Sequence, residues 1–208
     1  MKNLILTVVS FFILAACTQQ SGSERLPILG NKVFEENDTI YHTIADFKLV
    51  DQDSSIVTND TFDNKIYVAD FFFTSCPTIC PTMKAQMLRV YESYENNDQV
   101  AILSHTIDPT YDSVALLKDY AERLGVKSDK WKFVTGNQDS IYDLAEGSYM
   151  SIVDEDSDAP GGYIHSGAFL LVDKQRRIRG VYDGTVPEQV DVLINDIEKL
   201  LNEYSYEK

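Results

Sequence analysis

Cysteine and histidine are scarce in this chain of 208 residues, which has three of each. Three cysteines are too few for a disulfide framework, and a chain of this length buries a sufficient hydrophobic core without one. Basic residues are also few, since 18 lysines and arginines stand against 33 acidic residues, for a formal charge of −15. This balance excludes nucleic acid as a partner and argues against electrostatic adhesion to anionic lipid. We therefore expect one globular, acidic domain.

No apolar run is long enough to cross a bilayer, which takes roughly 20 residues. The most apolar segment, residues 4–16, follows Lys2 and ends in small residues directly before Cys17, a pattern typical of a secretory signal. The segment Leu14-Ala15-Ala16-Cys17 resembles the lipobox of bacterial lipoproteins. The resemblance implies a signal peptide over residues 1–16 and a lipid on Cys17, with the protein anchored to a membrane of the cell envelope and facing its periplasmic or extracytoplasmic side. Residues 17–31 are polar and rich in Ser and Gly, which predicts a flexible tether to a folded domain over residues 32–208.

Apolar runs of strand type alternate with amphipathic helical stretches over the folded part. The nearly unbroken run Ile66–Phe73 predicts a central strand covered on both faces, and Val100–Ile107 predicts another. Turn residues predict an N-terminal hairpin over 46–57 and a second hairpin over 168–182. Helical spacing predicts four helices. The first begins at Pro81, and the other three span residues 114–124, 141–145 and 187–204. The pattern favours an α/β sandwich, with a mixed central β-sheet flanked by helices and preceded by the N-terminal β-hairpin.

Two cysteines stand between the first central strand and the helix that follows it, in Cys76-Pro77-Thr78-Ile79-Cys80-Pro81. Ligands of open α/β sheets bind beyond the carboxyl ends of the strands, which is where this segment lies. Each proline biases the cysteine before it away from helical angles, so we place Cys76 in a loop and Cys80 at the helix cap. A thiol at a helix N-terminus is expected to have a lowered pKa.

The pair has three interpretations: two small buried hydrophobes, a thiol–disulfide couple, or a soft metal site. Thioredoxin-like redox pairs normally have two intervening residues, whereas Cys76 and Cys80 have three. A metal site needs a third ligand. His42 lies in the approach to the fold, His105 lies near the end of a strand and is a second candidate, and His165 lies in a glycine-rich segment that allows it to move toward the pair. Two thiolates with one imidazole suit copper better than zinc, which prefers four ligands in structural sites.

Three segments together resemble the Sco/SenC family of copper proteins: residues 70–81, residues 106–113, and His165 with residues 168–173. They occur in family order, and the resemblance covers roughly residues 40–201. It implies a thioredoxin-like fold, copper bound by Cys76, Cys80 and His165, and a role in building the dinuclear copper centre of cytochrome c oxidase. It also implies that the oxidase subunit that holds this centre is a partner, and that the thiol pair, kept reduced by a thiol reductant, can reduce cysteines of that subunit.

Two details of the resemblance bear on the histidine and on a nearby loop. Many family members carry Asp directly before the histidine, whereas this chain has Ile164, so either another group orients the imidazole or Cu(II) is bound more weakly. The acidic residues 154–158 are one candidate, although a solvated loop is the simpler interpretation. Asp108 and Asp112 match a family loop motif, for which we expect capping or loop rigidity rather than a ligand role.

The sequence therefore predicts a lipid-anchored copper metallochaperone, with Cys76, Cys80 and His165 as ligands. The alternative is a thiol–disulfide oxidoreductase or redox sensor that uses only the reversible Cys76–Cys80 pair. A peroxidase of similar fold is a third possibility. Copper binding that depends on His165 would separate the first prediction from the second.

Overall fold

A computed structural model describes residues 25–36 and 38–205. The predicted signal peptide over residues 1–16 and the predicted lipidation site at Cys17 lie outside the described residues. Within the described part, no helix has the length and apolar character needed to cross a membrane.

A seven-stranded mixed sheet forms the centre of the domain, in the order β11-β10-β5-β6-β7-β3-β4. The three central strands β5, β6 and β7 are parallel, and the outer neighbours pair antiparallel. Two small hairpins, β1-β2 and β8-β9, stand outside this sheet. The strands are β1 (Lys32–Phe34), β2 (Thr39–Tyr41), β3 (Lys48–Asp51), β4 (Ile56–Thr58), β5 (Ile66–Phe72), β6 (Val100–Thr106), β7 (Trp131–Thr135), β8 (Val153–Glu155), β9 (Tyr163–His165), β10 (Ala168–Val172) and β11 (Ile178–Asp183). The predicted α/β sandwich with a mixed sheet and an N-terminal hairpin, here β3-β4, is confirmed.

Over the described ranges 25–36 and 38–205, four α-helices connect or follow these strands. They are α1 (Cys80–Tyr94), α2 (Val114–Leu124), α3 (Gln138–Asp143) and α4 (Pro187–Ser205). Helix α2 begins at a Ser113 cap, whose side chain accepts from the Leu116 amide, and ends at Gly125 in the left-handed region, as its sequence predicts. Helix α3 begins three residues before the predicted stretch 141–145 because the Asn137 side chain caps it, and a π-helical turn, Leu144–Ser148, continues it.

Strands β5 and β6 hold the core because every residue in both is buried. A strand covered on both faces has no polar face, which is why their sequences read as continuous apolar runs. The carboxyl ends of these parallel strands meet at one edge of the sheet, from which the 73–79 loop and the 107–113 loop both leave. We call this the upper edge. The turn between β10 and β11 lies at the opposite, lower edge, because β10 runs antiparallel to β5.

The N-terminal segment is bound to the domain six residues before the predicted start at residue 32. The Arg179 guanidinium donates to the carbonyl oxygens of Leu26 at 2.6 Å and of Pro27 at 3.0 Å. The Leu26 amide donates to Glu203 at 2.7 Å, and the Leu29 amide donates to the Ile178 carbonyl at 2.8 Å. Part of the segment that its composition assigns to the tether is therefore packed on the lower edge of the sheet.

Candidate metal centre

The loop after β5 carries Cys76, and helix α1 begins at Cys80, with Ile79 as its N-cap. The helix thus starts one residue earlier than predicted, and Cys80 is its first residue rather than its cap. The loop is fixed to the end of β6 because Asp112 accepts from the Thr74 amide at 3.1 Å and from the hydroxyls of Thr74 and Thr106. Asp112 therefore has the structural role expected of it.

His165 lies in strand β9, not in the mobile glycine-rich loop that its sequence suggested. Strand β9 pairs with β8, with His165 opposite Val153, and the histidine is 9% exposed. Gly161 and Gly162 lie in the connection between β8 and β9 instead. Gly161 has φ +86°, and a Cβ there would lie 2.8 Å from the Phe73 ring and 3.1 Å from Pro77 Cδ. The hairpin therefore packs tightly on the cysteine loop, and strand pairing fixes the backbone of His165 within it.

Cys76, Cys80 and His165 converge at the upper edge, and their ligand atoms all lie within 4.8 Å of one another. The His165 Nε2 atom is 3.2 Å from Cys80 Sγ and 4.0 Å from Cys76 Sγ. Thiolate and imidazole bonds to a first-row metal measure about 2.0–2.3 Å, so two ligands of one ion cannot be more than about 4.6 Å apart. Both nitrogen–sulfur distances satisfy this limit, so His165 can share one metal ion with either cysteine.

Both cysteines are free thiols and both are buried, yet their acidities differ. Burial raises the pKa of Cys80 to about 12, which outweighs its place at the helix N-terminus. Burial also acts on Cys76, but hydrogen bonds from the backbone at Thr78 and Cys80 outweigh it and hold the Cys76 pKa below its ordinary value. The prediction of a lowered pKa for Cys80 is therefore wrong for the metal-free protein, and Cys76 is the more acidic thiol.

The His165 imidazole is oriented by a backbone carbonyl. Its Nδ1 lies 3.1 Å from the Ser166 carbonyl oxygen, which can only accept, so Nδ1 carries the proton and the Nε2 lone pair faces the sulfurs. The Ser166 residue is itself held, by its amide to the Ile152 carbonyl at 3.0 Å and by its hydroxyl to Ser151 at 2.7 Å. This carbonyl supplies the orienting contact that Ile164 cannot, and burial lowers the pKa of His165, which keeps the ring neutral.

The other two histidines lie outside this cluster. The His42 Nε2 atom bonds the Ser148 carbonyl at 2.7 Å. His105 is fully buried, with its ring stacked on Phe71 at 4.8 Å and Nδ1 3.2 Å from the Asp70 carbonyl. It does not join the cysteines, so the second candidate for the third ligand is not supported.

A buried ion pair in the same region was not predicted. Lys84 Nζ lies 2.9 Å from an Asp70 carboxylate oxygen and 4.0 Å from the centre of the Phe72 ring, and both charged side chains are almost fully buried. The Ser104 hydroxyl donates to the Asp70 carboxylate and accepts from the Lys84 ammonium. It also accepts from the Trp131 indole at 2.9 Å. The sequence did hold a signal: Asp70 interrupts an apolar strand, and Lys84 interrupts the apolar stripe of α1.

Comparison with known proteins identifies the family. A family model described as SCO1/SenC matches residues 35–202. The SCO1 protein homolog of Bacillus subtilis is 30% identical over 163 residues, which cover 77% of this chain and 84% of that protein. Among solved structures, a SCO1/SenC family lipoprotein from Bacillus anthracis aligns with a TM-score of 0.71 at 26% identity, covering 77% of this chain and 95% of that one.

A second solved structure is BsSco, described as having a disulfide switch and as a member of the Sco family of cytochrome c oxidase assembly proteins. It aligns with a TM-score of 0.67 at 29% identity, over 76% of this chain and 93% of that one. These likenesses confirm the predicted thioredoxin-like fold. The matched region contains both cysteines and His165, and it leaves out residues 1–34. The chain belongs to the SCO1/SenC family.

Proposed function

We propose that the protein is a copper metallochaperone that takes part in the assembly of the dinuclear copper centre of cytochrome c oxidase. The observation that carries the proposal is the convergence of Cys76, Cys80 and His165 on one point. Two thiolates select the soft Cu(I) ion, and an imidazole nitrogen also suits Cu(II). The family supports the oxidase as the destination, since the related BsSco belongs to a family of oxidase assembly proteins.

The cluster binds copper as cargo, which it must take up and release. Cys80, as a buried thiol with a pKa of about 12, loses its proton only when the metal displaces it. Cys76 is 8% exposed, ionises more readily and is the first contact for an incoming ion. The neutral His165 then closes the site with Nε2. Release reverses this order, with partner thiolates replacing these ligands in turn.

The same cysteines form a reversible redox pair in our proposal, and the disulfide switch of BsSco supports it. A disulfide between Cys76 and Cys80 would offer no thiolates for copper. A dithiol reductant opens it by attacking one sulfur to form a mixed disulfide, and its second thiol then displaces the protein sulfur. The two electrons and two protons pass to Cys76 and Cys80, and the reductant leaves as a disulfide.

The anchor predicted at Cys17 is also part of the proposal. A lipid on this residue would hold the domain on the extracytoplasmic or periplasmic face of a membrane. The related lipoprotein of Bacillus anthracis supports this location. More than one acyl chain is needed for stable attachment, which the lipoprotein modification provides.

Metal analysis of the reduced domain tests the ligand set. We expect one copper per chain for the wild type and for the control His42→Ala, whose histidine lies outside the cluster. The variants Cys76→Ala and Cys80→Ala should lose copper, and His165→Ala should lose the Cu(II) spectrum. Unchanged copper content and spectrum in His165→Ala would contradict the three-ligand site and favour a thiol–disulfide oxidoreductase.

Complementation tests the role in oxidase assembly. In cells that lack the protein, the wild type should restore oxidase activity, and none of the three variants should restore it.

A further inference from the structure

The hairpin β1-β2 exposes large apolar side chains to solvent. Phe34 is 79% exposed, Val33 is 59% exposed and Ile40 is 50% exposed. Val33 lies opposite Ile40, so these two share one face of the hairpin, while Phe34 lies on the other. Large apolar side chains exposed on both faces of a small hairpin indicate a site of contact with a membrane or with another protein.

The hairpin stands at the lower edge of the sheet. The segments on either side of it bond the lower edge at two places. The Leu29 amide donates to the carbonyl of Ile178, the first residue of β11, and the Ile44 amide donates to the carbonyl of Arg176 in the turn between β10 and β11, both at 2.8 Å. Tyr41 of the hairpin packs under the Arg177 guanidinium, 4.8 Å from the ring centre. The hairpin is thus fixed to the edge of the sheet opposite the cysteines and His165.

The chain enters the domain at this same edge, where Arg179 and Glu203 hold Leu26. The arginine is anchored by Asp173 at 3.1 Å and by Glu203 at 2.7 Å, and all three side chains are buried. Nine residue steps separate Leu26 from Cys17, and even a fully extended chain covers only about 30 Å over nine steps. A lipid on Cys17 therefore keeps the lower edge within about 30 Å of its membrane.

We propose that the hairpin contacts the surface of the membrane that holds the lipid, through Val33, Phe34 and Ile40, and thereby directs the metal site away from that membrane. This inference rests on the lipid anchor of the proposed function. The seven residues of β5 span about 23 Å from the lower to the upper edge, so the site faces a partner that projects well above the bilayer.

The charges around the hairpin limit the contact to the boundary between headgroups and acyl chains. Lys32 and Arg177 flank the Tyr41 ring, while Glu35, Glu36 and Asp38 lie at the hairpin turn. Deep insertion would bury these acids at a large cost. Because the positive and negative charges nearly balance, the apolar side chains drive the contact, and anionic lipid adds little to it.

Quenching by brominated lipids tests the orientation. The sequence has one tryptophan, Trp131, which is fully buried and contributes the same background to each variant. The variant Phe34→Trp places a reporter on the hairpin. The control Tyr111→Trp places one at a position 59% exposed in the loop at the upper edge. Lipidated full-length chains of both would be bound to vesicles of phosphatidylcholine, with and without phosphatidylglycerol, and separated by flotation.

We expect the Phe34→Trp reporter to shift to shorter wavelength and to lose most of its emission to brominated lipid in both vesicle types, and the Tyr111→Trp reporter to lose none. If the chains float but the Phe34→Trp reporter is not quenched, or is quenched no more than the Tyr111→Trp reporter, the proposed orientation is wrong. The proposed lipid anchor would still stand in that case. Quenching only with anionic lipid overturns the apolar contact. A blue shift that depends on protein concentration and not on lipid assigns the hairpin to a second copy. If the chains do not float with the vesicles, the proposed lipid anchor and the proposed orientation are both wrong. The copper measurements described above test the metal site independently of the anchor and the orientation.

Discussion

At the scale of single residues, the two thiols of the site differ more in reactivity than their similar burial suggests. Burial raises the pKa of Cys80 to about 12, whereas backbone hydrogen bonds hold the pKa of Cys76 below its ordinary value. Thiolate is the nucleophilic form of cysteine. We therefore expect Cys76 to react before Cys80 with an electrophile or a disulfide, and to bind a metal ion first, in the reduced, metal-free protein.

We predict that iodoacetamide modifies Cys76 well before Cys80 near neutral pH. Separate labelling of Cys76→Ser and Cys80→Ser by mass spectrometry measures each thiol without its partner. The Cys76 rate should level off below the ordinary thiol pKa, and the Cys80 rate should still rise at the highest pH at which the fold survives. Equal rates, or faster modification of Cys80, would contradict the assigned acidities.

At the scale of secondary-structure elements, the ion pair between Lys84 of α1 and Asp70 of β5 ties the helix that carries Cys80 to the central strand. The Lys84 ammonium also lies over the Phe72 ring at 4.0 Å, so it has partners on two sides. Buried ion pairs contribute little net stability, but removing one partner leaves an uncompensated charge in the core. The pair therefore matters most for keeping these two elements in register.

We predict that Asp70→Asn and Lys84→Met each lower the free energy of unfolding by about 3–5 kcal/mol. The double variant should lose much less than the sum of the two, because neither charge is then left alone. Denaturant unfolding of the reduced domain measures all four proteins. The exposed pair of Arg89 and Asp191 is the control, and Asp191→Asn should cost less than about 1 kcal/mol. Additive losses at Asp70 and Lys84 would show that the pair does not couple.

At the scale of the whole molecule, the buried base His105 makes the stability of the fold sensitive to acid. Burial lowers the pKa of His105 from 6.5 to about 4, and its Nε2 has no hydrogen-bond partner among the described residues. Between pH 4 and pH 6.5, His105 binds a proton in the unfolded chain but not in the folded chain. Stability from this group is complete above pH 6.5 and is lost as the pH falls toward 4.

We predict that acidification from pH 7 to pH 4 costs up to about 3 kcal/mol through His105, at about 1.4 kcal/mol for each pH unit of the shift. The variant His105→Phe removes the titrating group and keeps an aromatic ring in contact with Phe71. Its stability should fall less over this range than that of the wild type. Parallel curves for the wild type and His105→Phe would assign the acid sensitivity to other groups.

Long segments were predictable because a strand buried on both faces leaves a continuous apolar run, and an amphipathic helix repeats its apolar residues with a helical period. Strand β10 has its predicted bounds, β5 ends one residue before the predicted Phe73, and α4 extends one residue past its predicted end. The three-residue strands of β1-β2 and β8-β9 were missed because they are too short to show a period. His165 was therefore assigned to a loop, although strand pairing fixes it.

The sequence alone limited the candidate metal ligands to a short list, because the chain has only three cysteines and three histidines. It also determined the sheet and the family resemblance. Only the tertiary structure decided which histidine joins Cys76 and Cys80, which thiol is the more acidic, and that a backbone carbonyl orients His165. Distances between segments 85 residues apart along the chain, from Cys80 to His165, and the degree of burial at each atom settle these points, and local sequence specifies neither.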